Sequence, residues 1–233
     1  MKTTKALFTF FIFLSTTANV FSQSYTEVTV GGHYWYAAPD YKGEAFKGIK
    51  VGSGNMVGPY LSLRKGRFIL STSILMGTFK WDYTVYNFNL NIKRNDLNFM
   101  AGYSLSPRFT IFVAIKNLSL KGNRDLNKFE SKKRLYGGGV SSILPFLHSS
   151  FFLYGSAAYL YGTEKTTEFI SVEEKNVYTY NDHSNTGIAA LTFGLGFRAS
   201  SGLTITGGYK IDLSNKIEKR IQGIMATATY AIR

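Results

Sequence analysis

One ten-residue stretch near the C-terminal end constrains the fold of this chain more than any other feature. In residues 203–212 the odd positions are apolar or small, and the even positions are polar or small. Successive side chains of a β-strand point to opposite faces of the sheet, so this stretch has one apolar and one polar face. The polar face carries Lys210 and Asp212, which the core of a soluble sandwich would not bury without partners. The stretch therefore predicts a strand that separates an apolar medium from a polar interior.

The N-terminus has the features of a secretory signal peptide. Lys2 and Lys5 supply the positive charge, and residues 6–14 form a short apolar core. Because a membrane-spanning helix needs about 20 apolar residues, this run is too short to act as an anchor. We predict a cleaved signal peptide at residues 1–22 and a single exported domain at residues 23–233.

The same alternation recurs along the exported part of the chain, with turn residues between the alternating stretches. Since export removes the chain from the cytoplasm, strands with an apolar and a polar face predict a membrane-embedded barrel. The predicted fold is all-β: a closed antiparallel up-and-down transmembrane β-barrel of about ten strands, with eight or twelve strands as alternatives. The ten predicted strands cover approximately residues 25–36, 57–64, 67–81, 97–105, 109–118, 135–144, 150–161, 187–199, 203–212 and 221–232.

The segment before the fourth strand allows two interpretations. Apolar residues alternate with asparagines in residues 86–92, and the apolar phase then changes to the set in residues 97–105. Either two short strands meet in a turn at residues 94–96, or a long hairpin arm outside the membrane continues into one membrane strand. We favour the second interpretation, because it makes residues 106–108 a short periplasmic turn.

The signal peptide, the alternating strands and turns such as Ser106-Pro107-Arg108 resemble those of the small, porin-like outer-membrane β-barrel proteins of Gram-negative bacteria. The resemblance covers the whole predicted exported domain, but it is one of architecture and composition. It implies the bacterial outer membrane as location, outer-membrane lipid and lipopolysaccharide as surroundings, and the barrel-assembly machinery as a partner during biogenesis. It implies no particular activity.

Polar side chains on the inward phase of the strands are the candidates for an interior site. Ten strands enclose a narrow interior, so we expect either a network that braces and plugs the barrel or a narrow pore that prefers small anionic solutes. Two of the candidates face each other near the periplasmic ends of adjacent strands and predict an ion pair. The interior candidates, with that pair first, are Glu27, Arg64, Lys116, Arg198, Lys210 and Asp212.

Basic residues dominate the charge, with a formal net charge of +13. Because export makes nucleic acid an unlikely partner, we expect the positive charge to face anionic surface groups or solutes instead. A predicted outer loop at residues 121–134 and a second at residues 162–185 make a surface adhesin the alternative to a structural barrel or pore. The outer-loop basic candidates are Lys121, Arg124, Lys128, Lys132, Lys133 and Arg134.

The sequence gives little evidence for a catalytic site. Asp182 and His183 resemble the Asp and His of omptin-like proteases, but Asp82 is the single obvious further acidic residue on the predicted outer side. Residues 148–150 have the His-x-Ser spacing of lipid A deacylases, yet they fall in a predicted periplasmic turn. His33 is expected to be a hydrogen-bonded interior residue. Three scattered histidines and no cysteine do not indicate a metal site, so we predict a non-enzymatic barrel without a cofactor.

Overall fold

The computed structural model describes residues 26–41, 49–83, 88–124, 127–146, 150–172, 176–215 and 219–232. The predicted signal peptide at residues 1–22 lies outside these segments, so it stays a prediction. Within the described segments, no helix is long and apolar enough to cross a membrane.

The described residues form eleven β-strands, which follow one another along the chain with short connections. They are β1 (Thr26–Tyr41), β2 (Ile49–Val51), β3 (Gly54–Lys65), β4 (Phe68–Tyr83), β5 (Phe88–Ser106), β6 (Phe109–Arg124), β7 (Asn127–Phe146), β8 (Phe151–Val172), β9 (Asn176–Arg198), β10 (Leu203–Ser214) and β11 (Lys219–Ile232).

Ten of these strands close into an antiparallel barrel. From β3 to β11 each barrel strand pairs with the next along the chain, and β1 pairs with both β3 and β11, which closes the sheet on itself. The short β2 pairs with β4 beyond the end of β3 and so continues the same wall. This confirms the predicted up-and-down barrel of ten strands. Closure satisfies the backbone hydrogen bonds between strands, which lipid cannot do.

An apolar belt covers the outside of this barrel. Every barrel strand contributes large apolar side chains that point away from the interior, with exposures that reach 61% at Val57 and 60% at Ile224. A continuous apolar surface around a closed barrel is stable in lipid and not in water. The chain is therefore a transmembrane β-barrel of the bacterial outer-membrane type. Members of the belt include Leu61, Leu70, Phe99, Val113, Tyr136, Leu153, Leu195, Ile205 and Tyr230.

Strands β5 to β9 are longer than a membrane crossing requires. The longest two, β8 and β9, have 22 and 23 residues, whereas a membrane strand needs about 9–11. At the other end of the barrel the strands turn back close to exposed apolar residues, as at residues 107–108 between Leu105 and Phe109, and at Gly66 with its positive φ of 57°. Because short turns face the periplasm in such barrels, the excess length extends outward from the membrane.

Along β5 the chain crosses from the membrane to the outer region without any break in strand pairing. Strand β5 is one continuous strand, which confirms the favoured interpretation over residues 88–105. Its even-numbered side chains from Leu90 to Ser104 face inward. In the membrane the outward residues are apolar, as at Phe99, whereas beyond it Lys93 faces outward and Ile92 is fully buried inside. The surroundings of the outer face change from lipid to water, but the same set of side chains continues to face the interior.

Two predicted outer loops are wrong in consequence. Residues 121–124 and 127–134 belong to the ends of β6 and β7, which remain paired up to Arg124 and Asn127. Residues 162–172 and 176–185 belong to β8 and β9, which remain paired up to Val172 and Asn176. Both segments are polar because their outward faces lie beyond the lipid. A prediction that requires apolar residues at outward positions therefore ends these strands too early.

Candidate functional site in the barrel interior

Five charged side chains form a layer across the interior, which we name the charged layer. Arg94 and Asp96 come from β5, Lys116 from β6, and Lys210 and Asp212 from β10. All five occupy the inward phase of their strands, and four are almost fully buried, with Lys210 slightly more exposed. Strands β5 and β10 lie on opposite sides of the barrel wall. The charged layer therefore spans the interior from wall to wall.

Its contacts are short and centred on the two carboxylates. Arg94 donates two hydrogen bonds to Asp96, from Nε to Oδ1 at 2.8 Å and from Nη2 to Oδ2 at 2.7 Å. Lys116 Nζ donates to Asp212 Oδ2 at 2.9 Å and lies 3.4 Å from Asp96 Oδ2. Lys210 Nζ is 3.7 Å from Asp212 Oδ2. Three cations thus share two carboxylates, and the layer keeps one excess positive charge.

A tryptophan packs against the excess positive charge. The Trp35 ring, on β1, is fully buried, with Lys210 Nζ at 4.2 Å and the Arg94 guanidinium carbon at 5.2 Å from its centroid. Both distances are within the range of cation–π attraction, which is strongest where water is excluded. The ring therefore stabilises cations that the carboxylates do not fully neutralise.

Apolar side chains fill the part of the interior that lies between the charged layer and the extracellular end of the barrel. Ile92 and Leu90 follow Arg94 along β5 and are both buried. Trp81 of β4 contacts Phe129 of β7 with a ring-centroid distance of 4.9 Å, although two strands separate them in the wall. This apolar plug consists of Trp35, Ala37, Met56, Leu75, Phe79, Trp81, Leu90, Ile92 and Phe129.

A second buried ion pair lies on the inward face of the extended hairpins. Lys133 Nζ is 3.0 Å from Glu164 Oε2, and both side chains are buried. Ser131 donates a hydrogen bond to Glu164 Oε1 at 3.1 Å. The prediction that Lys133 is an outer-loop cation is wrong, because odd-numbered residues of β7 face inward at this level. The pair joins β7 to β8 on the face that looks toward the barrel axis.

The remaining outer basic candidates lie on strands and not in a loop. Lys121, Lys132 and Arg134 are exposed on the outer faces of β6 and β7, and Lys128 is exposed closer to the hairpin tip. Arg124 is the last residue of β6, opposite Asn127. Their positive charge is therefore held by a rigid sheet.

The predicted interior residues near the periplasmic end lie on the inward phase of their strands, and Arg198 among them is exposed. Glu27 and Arg64 are register partners on β1 and β3, and Arg64 Nε also donates to the Gly66 carbonyl oxygen at 3.2 Å. Arg198 ends β9, with its guanidinium carbon 5.7 Å from the Phe152 ring centroid. His33 is half-buried and its Nδ1 lies 2.6 Å from Thr227 Oγ1, which confirms a hydrogen-bonded interior histidine.

The geometry disfavours the protease-like pair. Asp182 and His183 are successive residues of β9, so their side chains point to opposite faces. Asp182 accepts a hydrogen bond from Ser184 at 2.7 Å, whereas His183 is exposed on the outer face. Residues 148 and 149 of the deacylase-like spacing lie outside the described residues. Among the described residues, no group of three His, Cys, Asp or Glu side chains is placed to hold a metal ion.

Sequence reasoning missed two of the five residues of the charged layer. Lys116, Lys210 and Asp212 were predicted as interior residues, but Arg94 and Asp96 were considered only as parts of a turn. A usable signal was present: residues 94, 96 and 98 are polar and share the phase of residues 100–104 further along the strand. Extending one phase through the whole of β5 places Arg94 and Asp96 inside.

Comparisons with known proteins support the fold. No protein-family model matches the sequence, and no curated protein matches it. Among solved structures, the β-domain of the Bordetella autotransporter BrkA is similar, with a TM-score of 0.53 and 9% identity, over 90% of this chain and 100% of that chain. The outer-membrane protease OmpT of Escherichia coli gives a TM-score of 0.48 and 7% identity, over 89% and 96% of the two chains. The attachment invasion locus protein Ail of Yersinia pestis gives 0.42 and 13%, over 89% and 97%.

Proposed function

We propose that this protein is a closed, non-conducting outer-membrane barrel whose working surface is the set of extended hairpins formed by β6 to β9. The observation that carries the proposal is the hydrogen bond between Lys116 and Asp212, which joins β6 to β10 across the interior. The competing function is a narrow, anion-preferring pore lined by the same cations.

The charged layer and the apolar plug each oppose the passage of ions, in different ways. The charged layer occupies the central axis with side chains that already hold one another at hydrogen-bond distance. The apolar plug above it would offer an ion no side-chain oxygen and only the two indole nitrogens of Trp35 and Trp81, which is costly for a desolvated ion. An anion attracted by the excess positive charge would therefore meet an apolar barrier on its path.

Membrane insertion alone does not account for the length of the extended hairpins. About 9–11 residues per strand suffice to cross the bilayer, yet β7, β8 and β9 have 20, 22 and 23 residues. Their interstrand pairing is continuous to the tips, so they form a stiff wall rather than mobile loops. A stiff, exposed wall loses little conformational entropy when it binds a partner, which favours a binding role.

Planar-bilayer conductance of the refolded protein tests closure. We expect no discrete steps from the wild-type barrel in a salt gradient, provided that the same preparation shows heat-modifiable migration on a gel. Reproducible unit steps with an anion-selective reversal potential would refute the proposal. Those steps would identify Lys116 and Lys210 as residues that line a pore.

A shortened hairpin tests whether the wall is separable from the barrel. Lys165 and His183 are register partners, so an Asn-Gly dipeptide in place of residues 166–182 creates a two-residue hairpin turn in register. We expect the shortened protein to insert and to keep its heat-modifiable migration. Failure to fold would show that the hairpin stabilises the barrel, and the proposed surface role would lose its support.

A further inference from the structure

The outer face of β5 to β8 carries a cluster of cations immediately outward of the apolar belt. Its members do not come from a loop, because each lies on a paired strand with an exposed side chain. Two lysine pairs are directly opposite one another in register, Lys93 with Lys121 and Lys132 with Lys165. The group, which we name the basic belt, comprises Lys93, Lys121, Lys132, Arg134 and Lys165.

The basic belt contains far less negative than positive charge. Glu130 is the acidic residue of this face among the described residues, and it lies 2.8 Å from Lys132 Nζ and 3.3 Å from Lys121 Nζ. Hydrogen bonds from Lys132 and Lys121 hold the pKa of Glu130 below its ordinary value, so it is ionised at neutral pH. Lys93, Arg134 and Lys165 make no ion pair within the described part of the chain.

Like charges directly opposite on a sheet repel one another. Lys121 and Lys132 share Glu130, whereas their register partners Lys93 and Lys165 make no ion pair among the described residues, so a further anion would stabilise both lysine pairs. Two cations elsewhere on the wall do have acidic partners of their own. Arg220 Nη2 lies 2.9 Å from Asp40 Oδ2, and Lys80 Nζ lies 3.4 Å from Asp82 Oδ1.

The height of the basic belt indicates what the anion is. On β7 the last apolar outward residue is Tyr136, and Arg134 and Lys132 are the next two outward positions. On β8 Tyr161 is exposed, and Lys165 follows two outward positions later. Aromatic residues mark the boundary between hydrocarbon and headgroups. The cations thus lie at the level where lipid headgroups carry their phosphates.

We propose that the basic belt binds the phosphate groups of the anionic glycolipid of the outer leaflet, lipopolysaccharide, which lies against the β5–β8 face. The paired lysines hold one phosphate between them, and Arg134 adds a planar donor for a second contact. The tyrosines below contact the apolar part of the same lipid. This site lies on the outside of the barrel, so it is independent of whether the interior conducts.

The test measures binding of purified lipopolysaccharide to the refolded barrel in a neutral detergent. The variant Lys132→Gln/Lys165→Gln removes one register pair, and Lys93→Gln/Lys121→Gln removes the other. The control Lys65→Gln/Arg108→Gln removes the same charge from exposed residues at the periplasmic end. One lysine near an anionic surface contributes about fivefold in affinity, so we expect each belt variant to bind about 30-fold more weakly and the control to bind as wild type.

Dephosphorylated lipopolysaccharide and soluble polyphosphate separate the sources of the anion. We expect the first to bind wild type as weakly as the belt variants bind the intact lipid. Soluble polyphosphate is expected to bind more weakly than lipopolysaccharide, because it offers nothing to the tyrosines. Equal binding of dephosphorylated lipid, an equal loss in the control, or tighter binding of polyphosphate would each overturn the proposal.

Discussion

The substitution Asp212→Asn tests the energetic role of the charged layer most directly. In the wild type Asp96 and Asp212 compensate Arg94, Lys116 and Lys210, and both carboxylates are almost fully buried. The substitution leaves three buried cations with one carboxylate. Breaking a buried pair by removal of one partner costs about 3–5 kcal/mol, because the remaining charge is uncompensated. That is a large fraction of the roughly 5–15 kcal/mol by which folded domains are stable.

The substitution Lys116→Met changes the net charge of the charged layer in the opposite direction. It leaves Arg94 and Lys210 with Asp96 and Asp212, so the layer becomes neutral. The cost is then mainly the lost hydrogen bond to a charged group, about 1.5–3 kcal/mol. Lys116→Met should therefore destabilise the barrel less than Asp212→Asn, although both remove the same 2.9 Å contact.

Urea unfolding of the barrel in lipid vesicles measures both effects. The chain has two tryptophans, and both Trp35 and Trp81 are buried in the interior next to the charged layer, so their emission reports on loss of the fold. The double variant Lys116→Met/Asp212→Asn restores the original excess of one positive charge and should cost less than the sum of the single variants. Equal costs for the two single variants, or strict additivity in the double variant, would refute the argument from charge balance.

Two further predictions concern the wall. Gly223→Ala should abolish folding or greatly lower its yield, because a β-carbon there collides with the carbonyl oxygen of Tyr36 on the paired strand. The control Gly207→Ala, with no atom near the new methyl group, should fold as wild type. Heat-modifiable migration on a gel measures both. Glu130→Gln should lower the unfolding temperature slightly at pH 7 and by less at pH 3. The pKa of Glu130 is lowered in the folded state, so its contribution is complete above the ordinary pKa and is lost as the pH falls through the lowered one. A larger effect at pH 3 would contradict the assigned hydrogen bonds.

The membrane part of the barrel was predictable because lipid imposes a simple rule. The alternation of residues 203–212 predicted β10 with both of its interior charges, and the turn at residues 106–108 predicted where β5 ends. Strand pairing between chain neighbours follows from the short turns. Fold class, strand number and the periplasmic connections therefore needed only the local sequence.

The outer part of the wall was not predictable by the same rule. At residues 162–168 the outward positions include Thr163 and Lys165, and the inward positions include Glu164 and Thr166. Both faces are polar there, so the alternation of polarity that identifies a membrane strand is absent. The pairing of β8 with β9 in this region depends on the register established in the membrane below it, which is a long-range property.

The change of polarity along β5 gives a physical reason for the proposed closure of the interior. A strand that leaves the membrane exchanges lipid for water on its outer face, and a barrel in water needs an apolar interior. Leu90 and Ile92 therefore face inward where Asn91 and Lys93 face outward, as in a soluble protein. A barrel wall that extends beyond the bilayer thus acquires an apolar core, and that core lies in the path that a solute would take. The tall hairpins and the proposed closure of the interior are, on this argument, two consequences of the same strand length.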